Sequence, residues 1–316
     1  MSAPQLLPPP LQSVLHPAGV DAAIIGQFAW VMFGAGAVIL AAVMLLLGLA
    51  VRRGPRAVNP MRWIAGGGIA LPLVVLGALL IWSTWRSTAL TAQSSSQPLT
   101  VSVTAKMWWW EVRYRNPATG LDVVTANEIH LPVGTPVYIG LTSGDVIHSF
   151  WVPSLAGKID TVPGRVTGLT LTATRPGIYR GQCAEFCGEQ HARMGLHVVA
   201  QSPAQFADWL AQQQTPAAAP VGALALRGRQ VFEQQRCVAC HSIDRRDNRH
   251  AGDGPDLRHI GSRLYLGAGT VPLSEATLAA WIANPHAVKP GVRMPAANDI
   301  DPASLRALAA YLAALK

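Results

Sequence analysis

The chain has 316 residues, of which half are hydrophobic and only 13% are charged, with a net charge of +8. So apolar a composition excludes a wholly soluble protein and points to membrane-crossing segments, and the length suits two to three domains. The positive charge is spread along the chain instead of being gathered on one module with interleaved aromatics, which excludes nucleic acid as a partner.

Residues 1–21 hold no Lys or Arg and are read as an N-terminal segment outside the membrane. A transmembrane hairpin is expected over 22–87, with spans at about 22–51 and 63–85, uncharged runs of 30 and 23 residues. About 20 apolar residues suffice to cross a hydrocarbon core of roughly 30 Å. Pro72 predicts a kink in the second span, which a packed helix tolerates. The loop between the spans carries Arg52, Arg53, Arg56 and Arg62 and no acid. The positive-inside rule puts that loop in the cytoplasm and both termini on the periplasmic or outer side of a bacterial inner membrane. The N-terminus lacks the basic region of a signal peptide, so the first span is expected to be retained. Neither span contains a histidine, so neither holds haem iron or copper through imidazole. Small residues (Gly34, Gly36, Gly66, Gly67, Gly68) suit packing against partner helices.

Over 98–200 the pattern changes to period two, with Leu99, Val101 and Val103, then Val137, Ile139 and Leu141, then Leu169 and Leu171. Breaks at Asn116-Pro117, Pro132-Val133-Gly134, Pro163-Gly164 and Pro176-Gly177 separate short strands, the signature of an all-β sandwich or barrel. On that frame sit His148 and a loop with Cys183, Cys187, His191 and Met194 at spacings of four, four and three. Thiolates and a thioether favour copper, with imidazole completing the donor set. Two cysteines can bridge two copper ions that share one electron, which keeps geometry changes small on reduction. Cys183, Cys187, His148 and His191 would also make a zinc site, and the cysteines alone a disulfide; Met194 speaks against zinc. In Trp108-Trp109-Trp110, alternation puts the first and third on one face and the second on the other. His130 and His197 read as ordinary strand histidines.

Residues 201–222 form a linker. Its first part, 203–212, has helical spacing at Phe206, Trp209 and Leu210; the rest reads as a short semi-flexible tether that holds the next module close. In the last module, 223–316, Cys237, Cys240 and His241 form Cys-x-x-Cys-His, the pattern that attaches a c-type haem covalently. His241 is the first axial ligand and Met294, the module's one methionine, the expected sixth; His250, His259 and His286 are the rivals.

The segment 145–194 resembles the cupredoxin domain of cytochrome c oxidase subunit II. The resemblance implies that His148, Cys183, Cys187, His191 and Met194 ligate a binuclear copper A centre, and that Glu185 adds its backbone carbonyl. It also implies a magnesium ion at the Glu185 side chain, on the boundary with the catalytic subunit. The segment 106–114 matches the family's aromatic strand, which makes Trp108 the residue where electrons reach the copper. The last module resembles a class I cytochrome c. Gly228 and Phe232 with Leu308 and Tyr311 match its packed terminal helices. Pro255, in Gly254-Pro255-Asp256-Leu257, matches the carbonyl that orients the proximal histidine, and Arg263 a propionate partner.

A two-helix transmembrane hairpin, an all-β cupredoxin-like sandwich and an all-α class I cytochrome c domain occur together in caa-type cytochrome c oxidases. The implied function is that of subunit II of a proton-translocating bacterial respiratory oxidase. Electrons would pass from an external donor, cytochrome c or another redox protein, through haem c and copper A to subunit I, where oxygen is reduced to water. Subunits I and III are the implied membrane partners, and this chain carries no catalytic residue for the oxygen chemistry. Two alternatives stand beside it: the electron-donating subunit of a copper-containing nitric oxide reductase, and a membrane-anchored cytochrome with a structural zinc or disulfide β-domain.

Overall fold

The computed structural model describes residues 11–54, 58–91, 99–115, 122–243 and 254–316. The first ten residues of the N-terminal segment, Arg56, the Asn116-Pro117 break and His250 lie outside the described residues.

Helix α1 runs Val20–Arg53. An apolar run placed in lipid must satisfy its backbone internally, and a helix does so. The second apolar run is one continuous rod in three pieces: α2 (Pro60–Trp63), a π-helical stretch (Ile64–Ala70) and α3 (Leu71–Thr91). The Asn59 side chain accepts from the Arg62 N–H at its start, 3.3 Å. In place of a break, a wider helical turn stands before Pro72. Proline has no N–H and its ring crowds the carbonyl four residues back, here Gly68. The wider turn stands directly before it, with the Leu71 N–H reaching back five residues to Gly66 O. Both helices are long and apolar enough to cross a membrane, and their most apolar windows are not covered by the rest of the chain. They touch through Phe28 and Trp82, edge to face at 4.9 Å.

Residues before α1 lie along the β module. Leu11 N–H donates to Ile178 O and the Arg180 N–H returns to Leu11 O, both at 2.9 Å; Ala18 N–H donates to Ser154 O at 2.7 Å. The N-terminal segment and the sandwich therefore share one side of any membrane.

The β module is a two-sheet sandwich. Its strands are β1 (Leu99–Lys106), β2 (Trp109–Arg115), β3 (Asp122–Ala126), β4 (Glu128–Pro132), β5 (Val137–Ser143), β6 (His148–Trp151), β7 (Ile159–Thr161), β8 (Thr167–Leu171), β9 (Gly177–Cys183) and β10 (Gly195–Gln201). One sheet has the order β3-β2-β1-β5-β8 and the other β4-β10-β9-β6-β7. β1 runs parallel to β5 and β10 parallel to β4, the other pairings being antiparallel. Alternation works as expected: Val101, Val103, Ile139 and Leu141 from one sheet meet Leu131, Phe150, Leu196 and Val198 from the other in a sealed core.

Helix α4 (Pro203–Gln214) opens with a capping box between Ser202 and Gln205. It lays Phe206 and Trp209 against Tyr114 and stacks Trp209 on His130, centroids 4.0 Å apart at 7°. The stretch expected as a short semi-flexible tether touches the last module at two points: Ala218 N–H donates to Lys316 O at 3.3 Å, and His259 Nε2 lies 3.1 Å from Thr215 O. The last module comprises α5 (Ala223–Gln234), α6 (Glu275–Ala283), α7 (Pro285–Val288) and α8 (Pro302–Ala314), with a two-stranded ribbon, β11 (Tyr265–Leu266) and β12 (Val271–Pro272). α5 crosses α8 at Gly228, where any Cβ would run into Ala307 O and Tyr311. Phe232 and Tyr311 then meet edge to face at 6.0 Å, so the four residues matched to packed terminal helices do pack together.

Candidate metal centre and haem loop

Three elements bring the soft donors together. β6 supplies His148, the end of β9 Cys183, and the loop between β9 and β10 Cys187, His191 and Met194. The register Phe150↔Cys183 joins the two strands, and the Cys183 N–H donates to Met194 O at 2.9 Å, which closes the loop on itself. The two Sγ atoms stand 3.7 Å apart. Cys183 Sγ lies 3.9 Å from His148 Nδ1 and 3.2 Å from Glu185 O. Cys187 Sγ lies 3.8 Å from His191 Nδ1 and 3.9 Å from Met194 Sδ. All the residues expected as copper ligands are thus gathered at one place, with His148, Cys183, Cys187 and Met194 buried.

The electrostatics suit a thiolate pair. Cys183 is held well below the usual thiol range by the Cys187 thiol donating to it, against the opposing effect of burial, with help from His148 and the Ser149 and Glu185 backbone. Cys187 is pushed up by that same hydrogen bond, by burial and by the charge next door. The pair therefore keeps one proton between them, and a cation that displaces it gains two thiolates. Burial would lower His148, yet Cys183 and the Asp145 carboxylate, 2.8 Å from Nε2, hold it up. Asp145 stays ionised against burial because His148 and the Met107 and Val146 N–H groups bind it. An anchored Nε2 leaves Nδ1 aimed at the sulfurs, as a second carboxylate does for metal-bound histidines.

The donor set fits copper. Zinc seldom takes a thioether, and Met194 Sδ is turned into the cluster. The two sulfurs are not bonded: both cysteines are free.

The three tryptophans separate. Trp110 is fully buried beside His148 and Phe150, while Trp109 lies on the other face beneath the Lys106 ammonium, 4.9 Å from its ring. Trp108 stands in the turn ahead of β2, half-buried, and its Nε1–H donates to Cys187 O at 2.8 Å.

In the last module Cys237 is half-buried and Cys240 exposed on a short 3₁₀ turn after α5. His241 Nδ1 lies 2.7 Å from Pro255 O, as the loop resemblance implied, which leaves Nε2 for a metal. Gly254 passes so close that a Cβ there would come within 2.6 Å of the His241 ring. Cys237, Ile243, Leu257 and Met294 rest on the module's core and are only partly buried. Arg263 donates to Asp256 O. Among the rival ligands, His259 is turned to Thr215 O and His286 is exposed.

The two modules meet around the copper loop. Glu128 Oε2 accepts from Leu264 N–H at 2.9 Å; Gly195 N–H donates to Ala268 O at 3.1 Å; Arg180 donates to Gly269 O at 3.0 Å. His197 stacks on Tyr265, centroids 3.9 Å apart. Arg193 donates to Val288 O at 2.8 Å, and Lys289 Nζ donates to Trp108 O at 2.9 Å. Sequence reasoning passed over Asp145, Glu128 and Lys289. Asp145 had a signal, an acid three residues before a histidine of the donor set, and Glu128 stands two residues before His130, which it meets at 2.8 Å; the contacts of Glu128 with Leu264 and of Lys289 with Trp108 had none, because those partners lie more than a hundred residues away.

A family model for the periplasmic domain of cytochrome C oxidase subunit II matches residues 118–201, and one for cytochrome c matches residues 225–316. Cytochrome c oxidase subunit 2 of Alkalihalophilus pseudofirmus is 37% identical over 216 residues, 68% of this chain and 61% of that protein. The Bacillus subtilis protein of the same name is 31% identical over 233 residues, 71% of this chain and 64% of that one. The chain spans about three-fifths of the length of these curated relatives. A crystal structure of the periplasmic domain of subunit II of the Bradyrhizobium japonicum cytochrome oxidase is 28% identical, with a TM-score of 0.35, covering 38% of this chain and 96% of that chain.

Proposed function

We propose, on the premise that this chain carries the periplasmic domain of cytochrome c oxidase subunit II and a cytochrome c domain behind a two-helix membrane anchor, that it is the electron-transfer subunit II of a bacterial caa-type terminal oxidase. The single observation that carries the reading is the convergence of two thiols, two imidazoles and a thioether on one buried point, with the haem-attachment module docked beside it in the same chain.

Copper A and haem c are the groups these domain families imply, and bound here they would supply one-electron chemistry at a fixed site. His148, Cys183, Cys187, His191 and Met194 would hold the copper pair, with the Glu185 carbonyl beside Cys183 as a further ligand. The Glu185 side chain would be the candidate to hold the magnesium ion that the resemblance implies. Cys237 and Cys240 would anchor the haem through thioethers, and His241 and Met294 would be its axial ligands. The Pro255 carbonyl orients the His241 ring, and Arg263 would be the partner of a propionate.

The chain's own residues give the reading a direction. The Trp108 carbonyl meets the haem module, whereas Phe186, Ile147 and Val146 are exposed apolar side chains by the copper loop. A cavity of about 530 Å³ lies between the start of α1 and the sandwich, lined by Ala22, Ile25, Trp151, Cys183 and His191. This apolar side suits the catalytic subunit I in the membrane; subunit III would pack on the helices, and an external donor would meet the haem module. The hydrogen bonds from residues 11–18 to the sandwich support an outside N-terminus, since the copper module, the N-terminal segment and the haem module must lie on one side.

The test is copper, zinc and haem content of the purified complex with its electron paramagnetic resonance spectrum. Two coppers per covalent haem, with one electron shared over two nuclei, is the expected result. Zinc, or no metal beside the haem, would overturn the reading and leave an anchored cytochrome with a structural β-domain.

A further inference from the structure

We propose that Lys289 is a positioning residue for electron passage between the two modules: its ammonium clamps the Trp108 carbonyl and so steadies the indole against Cys187. The inference rests on the reading above, in which one electron leaves the iron of the haem module and arrives on the copper pair, with no bond made or broken. Such transfer slows steeply with added distance, so what fixes the junction sets the rate.

Lys289 follows α7 on the haem module and is only 3% exposed. Burying an ammonium is expensive unless something compensates, and most lysines avoid it. Here Nζ crosses the junction to a backbone carbonyl, that of Trp108, at 2.9 Å. A carbonyl accepts a hydrogen bond from Nζ whether the amine is charged or neutral, so the bond fixes the position of the Trp108 carbonyl in either state. The neighbouring residue is tied as well: Val288 O accepts from Arg193, which lies between His191 and Met194. The two bonds bracket the copper loop from adjacent residues. One grips the loop itself, and the other grips the turn whose indole donates to Cys187 O at 2.8 Å. The fit beneath the indole is close, since a Cβ on Gly188 would stand 3.2 Å from Trp108. Lys289, Trp108 and Cys187 thus form a chain of two hydrogen bonds from the haem module to a copper-binding sulfur residue.

The experiment uses the purified membrane complex. First, amines of the unaltered protein are acetylated and the rates read by mass spectrometry. Lys289 is expected to react at least about tenfold more slowly than the exposed Lys158 and Lys316; labelling as fast as Lys316 would overturn the clamp. Second, Lys289→Met and Lys289→Arg are compared by flash photoreduction of the haem. The Met variant should slow haem-to-copper transfer about tenfold or more and raise hydrogen exchange over residues 107–110, with copper and haem spectra unchanged; Arg should restore most of the rate. Transfer at the unaltered rate in the Met variant would sink the proposal. If that variant loses a cofactor signal, the labelling of the unaltered protein decides. Absence of the copper or haem signal from the unaltered protein is a failure of the functional reading, and is recognised separately by that spectrum.

Discussion

The two thiols at the end of β9 and in the following loop share a proton because each stabilises one charge and resists a second. Serine at position 187 removes the second soft donor. Cys187→Ser is therefore expected to abolish the spectrum of an electron shared over two coppers while leaving the haem intact, which paramagnetic resonance checks directly. Met194 would act more gently, as a weak thioether donor to the proposed copper pair. Met194→Leu should keep two coppers and raise their reduction potential, since losing a donor disfavours the oxidised form; redox titration reads it. His197 makes a different case. It is 1% exposed, neither ring nitrogen has a partner among the described residues, and burial lowers it to about 4, with Arg180 adding to the effect and Glu128 opposing it. Tyr265 covers its face from the other module. An unfolded chain protonates this imidazole near pH 6.5, so between that value and 4 the unfolded state binds the extra proton. Stability is full above about pH 6.5 and falls as pH drops toward about 4, by up to roughly 3 kcal/mol. His197→Phe keeps the stack and should flatten the difference between thermal melts at pH 7 and pH 5.

Among the elements, the α5–α8 crossing depends on one missing methyl group. A side chain at position 228 meets backbone, which cannot swing aside. Gly228→Ala should destabilise the haem module by about 1–3 kcal/mol, as overpacking does, visible as a lower melting point of the haem absorbance with the copper spectrum unmoved. The same reasoning explains the second membrane helix, where a widened turn accommodates Pro72 without ending the rod. The strands were legible because alternation has a fixed period, and the donor residues because cysteine, histidine and methionine at short spacings are rare by chance. The extra ties of the linker were not legible: Thr215 and Ala218 carry nothing that announces a distant carbonyl or histidine as their partner.

For the whole molecule, the sandwich keeps its own closed core, built from residues 18–206 with none from the haem module. A chain ending after residue 222 is therefore expected to fold and to bind two coppers. It would lose the cover over Trp108, so a soluble one-electron donor should reduce its copper faster than it does in the full chain, measured by stopped flow. Loss of copper from that truncated protein would mean that the junction, with Glu128 bonded to Leu264 and Lys289 to Trp108, supports the centre and does not merely adjoin it.

The chain order of anchor, β module and haem module, together with the donor residues themselves, could be read from the sequence, because each depends on local rules: apolar length, period-two alternation and ligand spacing. The tertiary structure alone decided where the modules touch. It turned Asp145 onto His148, buried Glu128, His197 and Lys289 at a shared boundary, and set Trp108 between Lys289 and Cys187. Apart from the local Asp145–His148 pair, such contacts join residues far apart in the chain, and their partners are chosen by surface shape and by the need to satisfy every buried polar group, neither of which has a period along the sequence.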